Sequence, residues 1–310
     1  MAGVRRSGRV VVSIILVNHN TREILRKCLS SIGKQAKGIA YEIILVDNNS
    51  TDGSAEMVQR EFPAVRLIRN SENRGFAAAN NQGISRACGD YTLLLNSDTE
   101  VLDGAIQRTV EFMERHPKAS IVGCRLLNRD GTLQPSCRSF PSVLNLFTES
   151  FFLYLIFKRS KFFGKYYMSF FNHGSIREVD VVKGAYMMIR KEVFDRVGLF
   201  DESYFMYAEE MDFCYRAKKS GHKVFFYPGS QVIHLGGGSI ADPQSYTRQL
   251  YDSQILFFRK HFTGIRRNAV ILIKQAGIAL RIVVYFLGAA VTLRPDLIRK
   301  SRAYSRLLFR

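Results

Sequence analysis

The sequence predicts an α/β fold with a mostly parallel central sheet flanked by helices, and three observations predict it. Short apolar runs alternate with segments of helical period. Four of those runs stop abruptly at Asn, Asp or Ser. One of them, Leu93-Leu94-Leu95, is apolar without alternation, the pattern of a strand buried on both faces of a parallel sheet. In such sheets the ligand crevice opens at the carboxyl ends of the strands.

Residues 10–17, VVVSIILV, are largely β-branched and end at Asn18-His19-Asn20, which makes them the first central strand. Thr21 and Arg22 open an amphipathic helix through about Ile32, with Ile24, Leu25, Cys28, Leu29 and Ile32 on one face. The second strand, 41–46, runs into the polar stretch Asp47 to Gly53, so strand, helix and strand close a right-handed parallel unit. A third strand over 65–69 leads to Asn73-Arg74-Gly75-Phe76. A helix of small residues over 77–88 then returns the chain to the Leu93 strand, which stops at Asn96-Ser97-Asp98. A helix over 104–115 covers the sheet, and 121–127 is another strand. Residues 179–190, VDVVKGAYMMIR, read as one strand, with Gly184 where a side chain would obstruct something. A helix over 193–200, an acidic and aromatic segment over 204–216, and a strand over 232–235 followed by Gly236-Gly237-Gly238-Ser239 complete the body.

At 310 residues, with 46% hydrophobic and 23% charged residues, the chain suits one large α/β domain with appendages. The formal charge of +18 raises nucleic-acid binding as a rival, but its distribution argues otherwise. The excess sits in residues 1–10, 150–177 and 264–310, and the remaining body is nearly neutral. Two of those stretches also hold the most apolar segments. Residues 144–157 are too short to span a bilayer and are followed by Lys158, Arg159, Lys161 and Lys165. Residues 269–293 are long enough, but Lys274 and Arg281 interrupt them on nearly one helical face, which suits a helix lying in the interface. Such segments suggest attraction to an anionic cytoplasmic leaflet, or else core helices with solvated ends. The five cysteines are scattered, without C-x-x-C, as in a reducing compartment; no signal peptide is visible, and the body reads as cytoplasmic.

Asn96 and Asp98 lie two residues apart, on one side of an extended chain, where a carboxylate can hold a hard divalent cation and the cation a diphosphate. The alternative is a turn that ends the strand. Asp47 can accept from a pyrimidine N3–H or ribose hydroxyls, or cap the next helix. Asn18 and Asn20 can bond nucleotide or close a turn. Gly75, Ala77, Ala78 and Ala79 admit either a ligand or tight packing on the sheet. There is no G-x-G-x-x-G and no P-loop, so a diphosphate held here needs a cation. Glu209, Glu210 and Asp212 in an aromatic segment are costly to bury, and burial raises a carboxyl pKa as a general base requires. The alternative is acidic enrichment of a first helical turn, with Asp212 and Arg216 paired four residues apart. His234 is a structural or a metal-binding imidazole, beside glycines able to wrap a phosphate.

The stretches VSIILVNHN, LVDNNSTDGS, NRGFAAANNQG, LLLNSDTEV, KGAYMMIRKEVFDRVGLFDESYFMYAEEMDFCYR and VIHLGGGS, in this order over residues 10–262, resemble glycosyltransferase family 2 and its bacterial rhamnosyltransferase-like branch. The resemblance implies a GT-A, Rossmann-like fold with a C-terminal helical membrane-associating tail. It implies inverting transfer of a sugar from dTDP-rhamnose or a UDP-sugar to a hydroxyl of a lipid-linked glycan, in cell-surface polysaccharide synthesis at the cytoplasmic face of the plasma membrane. By position it assigns Asn18, Asn20, Asp47, Asn49, Asn73, Asn96 and Asp98 to the nucleoside-diphosphate donor. Asp98 and His234 would hold Mg2+ or Mn2+, Glu210 would be the base beside Glu209, and Gly184 and Asp212 would meet the acceptor. Residues 1–115 would be the donor half, 116–262 the acceptor half with a basic apolar insertion at 144–177, and 263–310 the tail. Two positions depart from the pattern: Asn96 replaces the first acid of D-x-D, and Glu210 stands where relatives commonly carry Asp. A catalytically inactive membrane-associated scaffold of the same fold is the second rival.

Overall fold

The computed structural model describes residues 9–157, 159–236 and 243–308. Arg5, Arg6, Lys158, Arg310 and the Gly237-Gly238-Ser239 part of the glycine run lie outside the described residues. In chain order the elements begin β1 Val12–Asn18, α1 Arg22–Gln35, β2 Tyr41–Asp47, α2 Ser54–Glu61, β3 Arg66–Arg69, α3 Gly75–Ile84, β4 Tyr91–Asn96 and β5 Thr99–Val101. They continue α4 Ala105–Arg115, β6 Ala119–Leu127, β7 Leu133–Gln134, β8 Cys137–Arg138, α5 Val143–Ser150, α6 Leu153–Ile156, β9 Arg177–Val179, β10 Val181–Val182 and β11 Tyr186–Arg190. They end α7 Lys191–Val197, α8 Glu209–Lys219, β12 Lys223–His234, α9 Pro243–His261, α10 Gly264–Thr292 and α11 Pro295–Leu308.

The chain forms two compact units, the first built from the described residues of Met1–Cys137, Asn172–Phe205 and Glu209–Ser239. Its main sheet has the order β3-β2-β1-β4-β11-β6-β12-β5, with β7 on β6 and β9 on β12. β3, β2, β1 and β4 run parallel, whereas β11 is antiparallel to both β4 and β6. The Leu93 strand is therefore parallel to one neighbour only. Its burial is as expected, with Leu93, Leu94 and Leu95 all closed to solvent, each contributing about 1.5–3 kcal/mol of apolar transfer. The parallel registers set Asn18 level with Asp47 and Val17 level with Asn96, so the polar stops of three strands fall on one edge.

Two expectations change in this unit, and one open alternative is settled. The stretch 179–190 is not one strand: β10 stops at Val182 and β11 starts at Tyr186. Between them the Lys183 N–H donates to Ser136 O (3.0 Å) and Ala185 O accepts from Asn96 N (3.1 Å), which diverts the backbone across the strand ends. Asn96-Ser97-Asp98 is not extended either, because β4 ends at Asn96 and a two-residue turn at Ser97 and Asp98 leads into β5. The small residues of α3 serve packing: Ala77 and Ala79 are buried, and a Cβ on Gly83 would lie 2.5 Å from Ile15 Cγ2 on β1.

The second unit contains the described residues of Arg138–Phe171, Met206–Ala208 and Ile240–Arg310. Here α10 packs along α11 and α5. By length and composition it is long and apolar enough to cross a membrane. Lys274 and Arg281 do share a face, but that face turns inward rather than to an interface. Their side chains are buried and reach Glu149 of α5 at 3.0 Å and 2.9 Å. Gly277 lets the helices approach, since a Cβ there would lie 2.6 Å from Ser150 Cβ. The solvent face of α10 carries Leu272, Val283, Phe286, Leu287 and Val291 instead.

Candidate active site

The loops after β1, β2 and β3 form one hydrogen-bonded lattice of Asn, Asp and Ser. Asn18 Nδ2 donates to Asp47 Oδ1 (3.1 Å) and Ser50 Oγ (3.0 Å), and Asn18 Oδ1 accepts from Thr21 Oγ1 (2.5 Å). Asp47 is 2% exposed and its second oxygen accepts from Ser50 N at 3.1 Å. Asn20 and Asn49 both have positive φ, at 54° and 66°, a conformation that Asn tolerates better than most residues. Asn20 closes the turn, its Oδ1 accepting from Thr51 N at 2.7 Å, while Asn49 is exposed at the tip. Asp52 holds the start of α1, accepting from Arg22 N at 2.8 Å.

Sequence reasoning missed the organiser of this lattice, Asn48. Its Nδ2 donates to Asn73 Oδ1 (2.8 Å) and Gly75 O (3.1 Å), and its Oδ1 accepts from Asn70 Nδ2 and Arg74 N, both at 3.0 Å. Asn73 thus joins the β2 loop to the α3 start, its Oδ1 also accepting from Gly75 N at 3.0 Å. Asn48 sat in plain view inside D-N-N-S-T-D-G, but nothing local told it from its neighbours.

At the end of β4 a second cluster gathers around His234, the last residue of β12. Its Nε2 lies 3.3 Å from Asp98 Oδ1 and 3.3 Å from Asn96 Nδ2. The pairing of His234 with Thr99 across β12 and β5 brings it there, and the turn, not strand alternation, brings Asn96 and Asp98 together. Burial opposes the Asp98 charge, yet the hydrogen bond and charge of the His234 imidazole hold its carboxyl below the usual carboxylate range. Asn96 Oδ1 is buried and has no hydrogen-bond partner among the described residues. A carboxylate, an imidazole nitrogen and a spare amide oxygen fit a divalent cation, although no three His, Cys, Asp or Glu side chains converge among the described residues. Gln134 of β7, another residue the sequence did not flag, accepts from His234 Nδ1 at 2.6 Å.

The acidic cluster opens α8. Glu209 is buried, and burial first, then the adjacent Glu210 charge and its hydrogen bond, push its carboxyl well above the usual range. Glu210 is the more open of the two. Asp212 is fully buried and bound by Arg216 Nε at 2.7 Å. That guanidinium also donates to Val197 O (2.7 Å) and Leu199 O (2.8 Å), so Asp212 anchors α8 to the end of α7 rather than opening to an acceptor. Gly184 is not required by the protein: a Cβ there would meet only Phe76, at an ordinary 3.7 Å. Tyr207 and Ala208, just before α8, both have positive φ (70° and 66°).

Contacts link the acidic helix to the His234 cluster. The helix α8 packs on β10, and the residue after β10, Lys183, donates from Nζ to Gln134 Oε1 at 3.3 Å, the same oxygen that meets His234. Phe205 O, four residues before Glu209, accepts from Phe76 N at 2.7 Å. The strand-end lattice, the His234 cluster and the acidic pair therefore belong to one connected region of the first unit.

Comparison with known proteins gives the relatives and the fold neighbours of the chain. The chain is 26% identical over 283 residues to an N-acetylglucosaminyl-diphospho-decaprenol L-rhamnosyltransferase of Mycobacterium tuberculosis, covering 87% of this chain and 91% of that protein. It is 28% identical over 236 residues to the rhamnosyltransferase WbbL of Escherichia coli, covering 72% and 83%. In fold it is similar to a mannosyltransferase from Pyrobaculum calidifontis solved with GDP-Man and Mn2+, with a TM-score of 0.59 and 16% identity over 97% of this chain and 86% of that one. The Glycosyl transferase family 2 profile matches residues 13–198, from β1 through α7, and the chain belongs to that family.

Proposed function

We propose that this glycosyltransferase moves a deoxyhexose or hexose, rhamnose first among the candidates, from a dTDP- or UDP-linked donor to a hydroxyl of a lipid-linked glycan, with inversion. The buried corner of Asn96, Asp98 and His234, with its unpartnered amide oxygen beside the Asn18–Asp47 lattice, carries this reading. Asp47, with Asn18, Asn20, Asn49 and Asn73, receives the nucleoside, so residues 1–115 supply the donor side and 116–262 the acceptor side. Mg2+ or Mn2+ held by Asp98 and His234, with Asn96 beside them, would offset charge on the departing diphosphate. Glu210 takes the acceptor proton as the hydroxyl attacks from the face opposite the leaving group. Glu209 stays protonated beside it and hydrogen-bonds to it, and Gly184 leaves the acceptor path open. The relative that acts on a diphospho-decaprenol-linked sugar supports a lipid-linked acceptor.

The second unit supports peripheral attachment to the cytoplasmic face of an anionic membrane. Leu155, Ile156, Phe157 and Phe162 are exposed beside Arg159 and Lys161, and α10 exposes an apolar face. The reading is tested by titrating dTDP-, UDP- and GDP-sugars with Mn2+ and following thermal stability. One donor class raises Tm in the wild type and fails to do so in Asp98→Ala. No stabilisation by any sugar nucleotide, or an unchanged response in Asp98→Ala, overturns it.

A further inference from the structure

We propose that Gln134 is a positioning residue that fixes the tautomer of His234, so that Nε2 offers its lone pair beside Asp98. The inference rests on the cation site proposed above and names a residue outside the motif pattern. Asp130 begins a chain of hydrogen bonds whose direction is forced at every link. Its carboxylate only accepts, and it takes the Thr132 hydroxyl hydrogen at 2.6 Å. With that hydrogen committed, Thr132 Oγ1 accepts from Asn128 Nδ2 at 2.9 Å. The Asn128 amide is thereby oriented with Oδ1 outward, accepting from Gln134 Nε2 at 3.0 Å. Gln134 Nε2 also donates to His234 O at 3.1 Å, which uses both amide hydrogens and turns Oε1 to His234 Nδ1 at 2.6 Å.

An amide oxygen cannot donate, so Nδ1 carries the hydrogen, and it is on Nε2 that the ring has a lone pair whenever it is neutral. Lys183 Nζ, donating to the same Oε1 at 3.3 Å, reinforces the acceptor role of that oxygen. Asn96 Nδ2 lies 3.3 Å from the same Nε2, and this orientation of the amide is what leaves Asn96 Oδ1 unpartnered. Nε2 also lies 3.3 Å from Asp98 Oδ1, so between the two stands either a proton, which makes the contact the hydrogen bond described above, or a cation in its place. The polarity set at Asp130, on an exposed turn between β6 and β7, is thus handed through three side chains to the imidazole.

Two readouts on the intact protein test this. Two-bond 1H–15N correlations of 15N-histidine-labelled protein, with the His234 signals assigned through His234→Gln, report the tautomer without metal. Electron paramagnetic resonance of free Mn2+ reports cation affinity without any sugar nucleotide. Wild type and Gln134→Glu, which keeps the acceptor oxygen, carry the hydrogen on Nδ1. Gln134→Met, which fills similar space without an acceptor, shows mixed tautomers and binds Mn2+ about 10–100-fold more weakly. An Nε2–H tautomer in the wild type overturns the inference, as does Gln134→Met with wild-type tautomer and wild-type Mn2+ affinity. If the tautomers shift as stated but the wild type binds no Mn2+, the positioning role stands and the cation reading falls.

Discussion

Two glutamates, one in each compact unit, are buried to a similar degree and meet opposite surroundings. Glu149 in α5 lies between Lys274 and Arg281 of α10. Burial disfavours its charge, but the charges and hydrogen bonds of the two cations hold its carboxyl below the usual range. Glu209 has no cation bonded to it among the described residues, only Glu210 as a charged neighbour, and its carboxyl is driven upward. The first arrangement spends a carboxylate to neutralise two buried cations and hold a helix pair. In the second, burial and the neighbouring acid favour the protonated form of Glu209. Of these two glutamates, Glu149 holds helices together, and Glu209 has the surroundings that the function proposed above uses.

The largest effect that would break this contrast is on turnover. Glu210→Gln lowers kcat in a direct transfer assay by about 10²–10⁴-fold, the usual share of a general base, while donor titration stays unchanged. Retained turnover would remove Glu210 from the mechanism. Next comes stability. Glu149→Leu strands Lys274 and Arg281 in the second unit and costs about 3–5 kcal/mol in denaturant unfolding, as the loss of one partner of a buried ion group does. Glu209→Gln costs far less, because it removes a burden rather than a partner.

The pH responses sharpen the comparison because their signs differ. The carboxyl of Glu149 is lowered from 4.5, so its contribution is full above that value and is lost as acid titrates it below. That of Glu209 is raised above 4.5, so its contribution is full below that value and is lost as pH climbs through the folded-state value. Tm followed against pH in Glu209→Gln therefore loses its decline on the alkaline side. The acidic limb of kcat/KM, which reports the pair, moves down toward the ordinary carboxylate range. The smallest effect is at Gly184: Gly184→Ala changes stability by less than about 0.5 kcal/mol, yet raises KM for acceptor. A loss of stability instead would return Gly184 to a packing role.

Much of this was legible in the residues. The apolar runs that end in Asn and Asp are strands whose ends share one edge, because parallel register carries the stops of β1, β2 and β4 to the same level. Asp212 with Arg216 follows from helical spacing alone. What escaped depends on distant pairing. Gln134 lies 100 residues from His234 and sits on a two-residue strand with no period of its own. The break at Lys183-Gly184-Ala185 is set by Ser136 and Asn96, not by local propensity. The inward face of α10 was hidden for the same reason, since its charges turn in toward groups as distant in sequence as Glu149, 125 residues away from Lys274.

Gly75 carries one more consequence. Its φ is +80°, and a Cβ there would sit 2.4 Å from Phe205 O, the carbonyl that already accepts from Phe76 N. The loop assigned to the nucleotide and the strand of chain leading into Glu209 are thus stitched by a seam with no slack, one hydrogen atom wide. Any side chain at Gly75 displaces the segment that approaches the acid pair, so under the function proposed above a change on the nucleotide side is felt at the base as well.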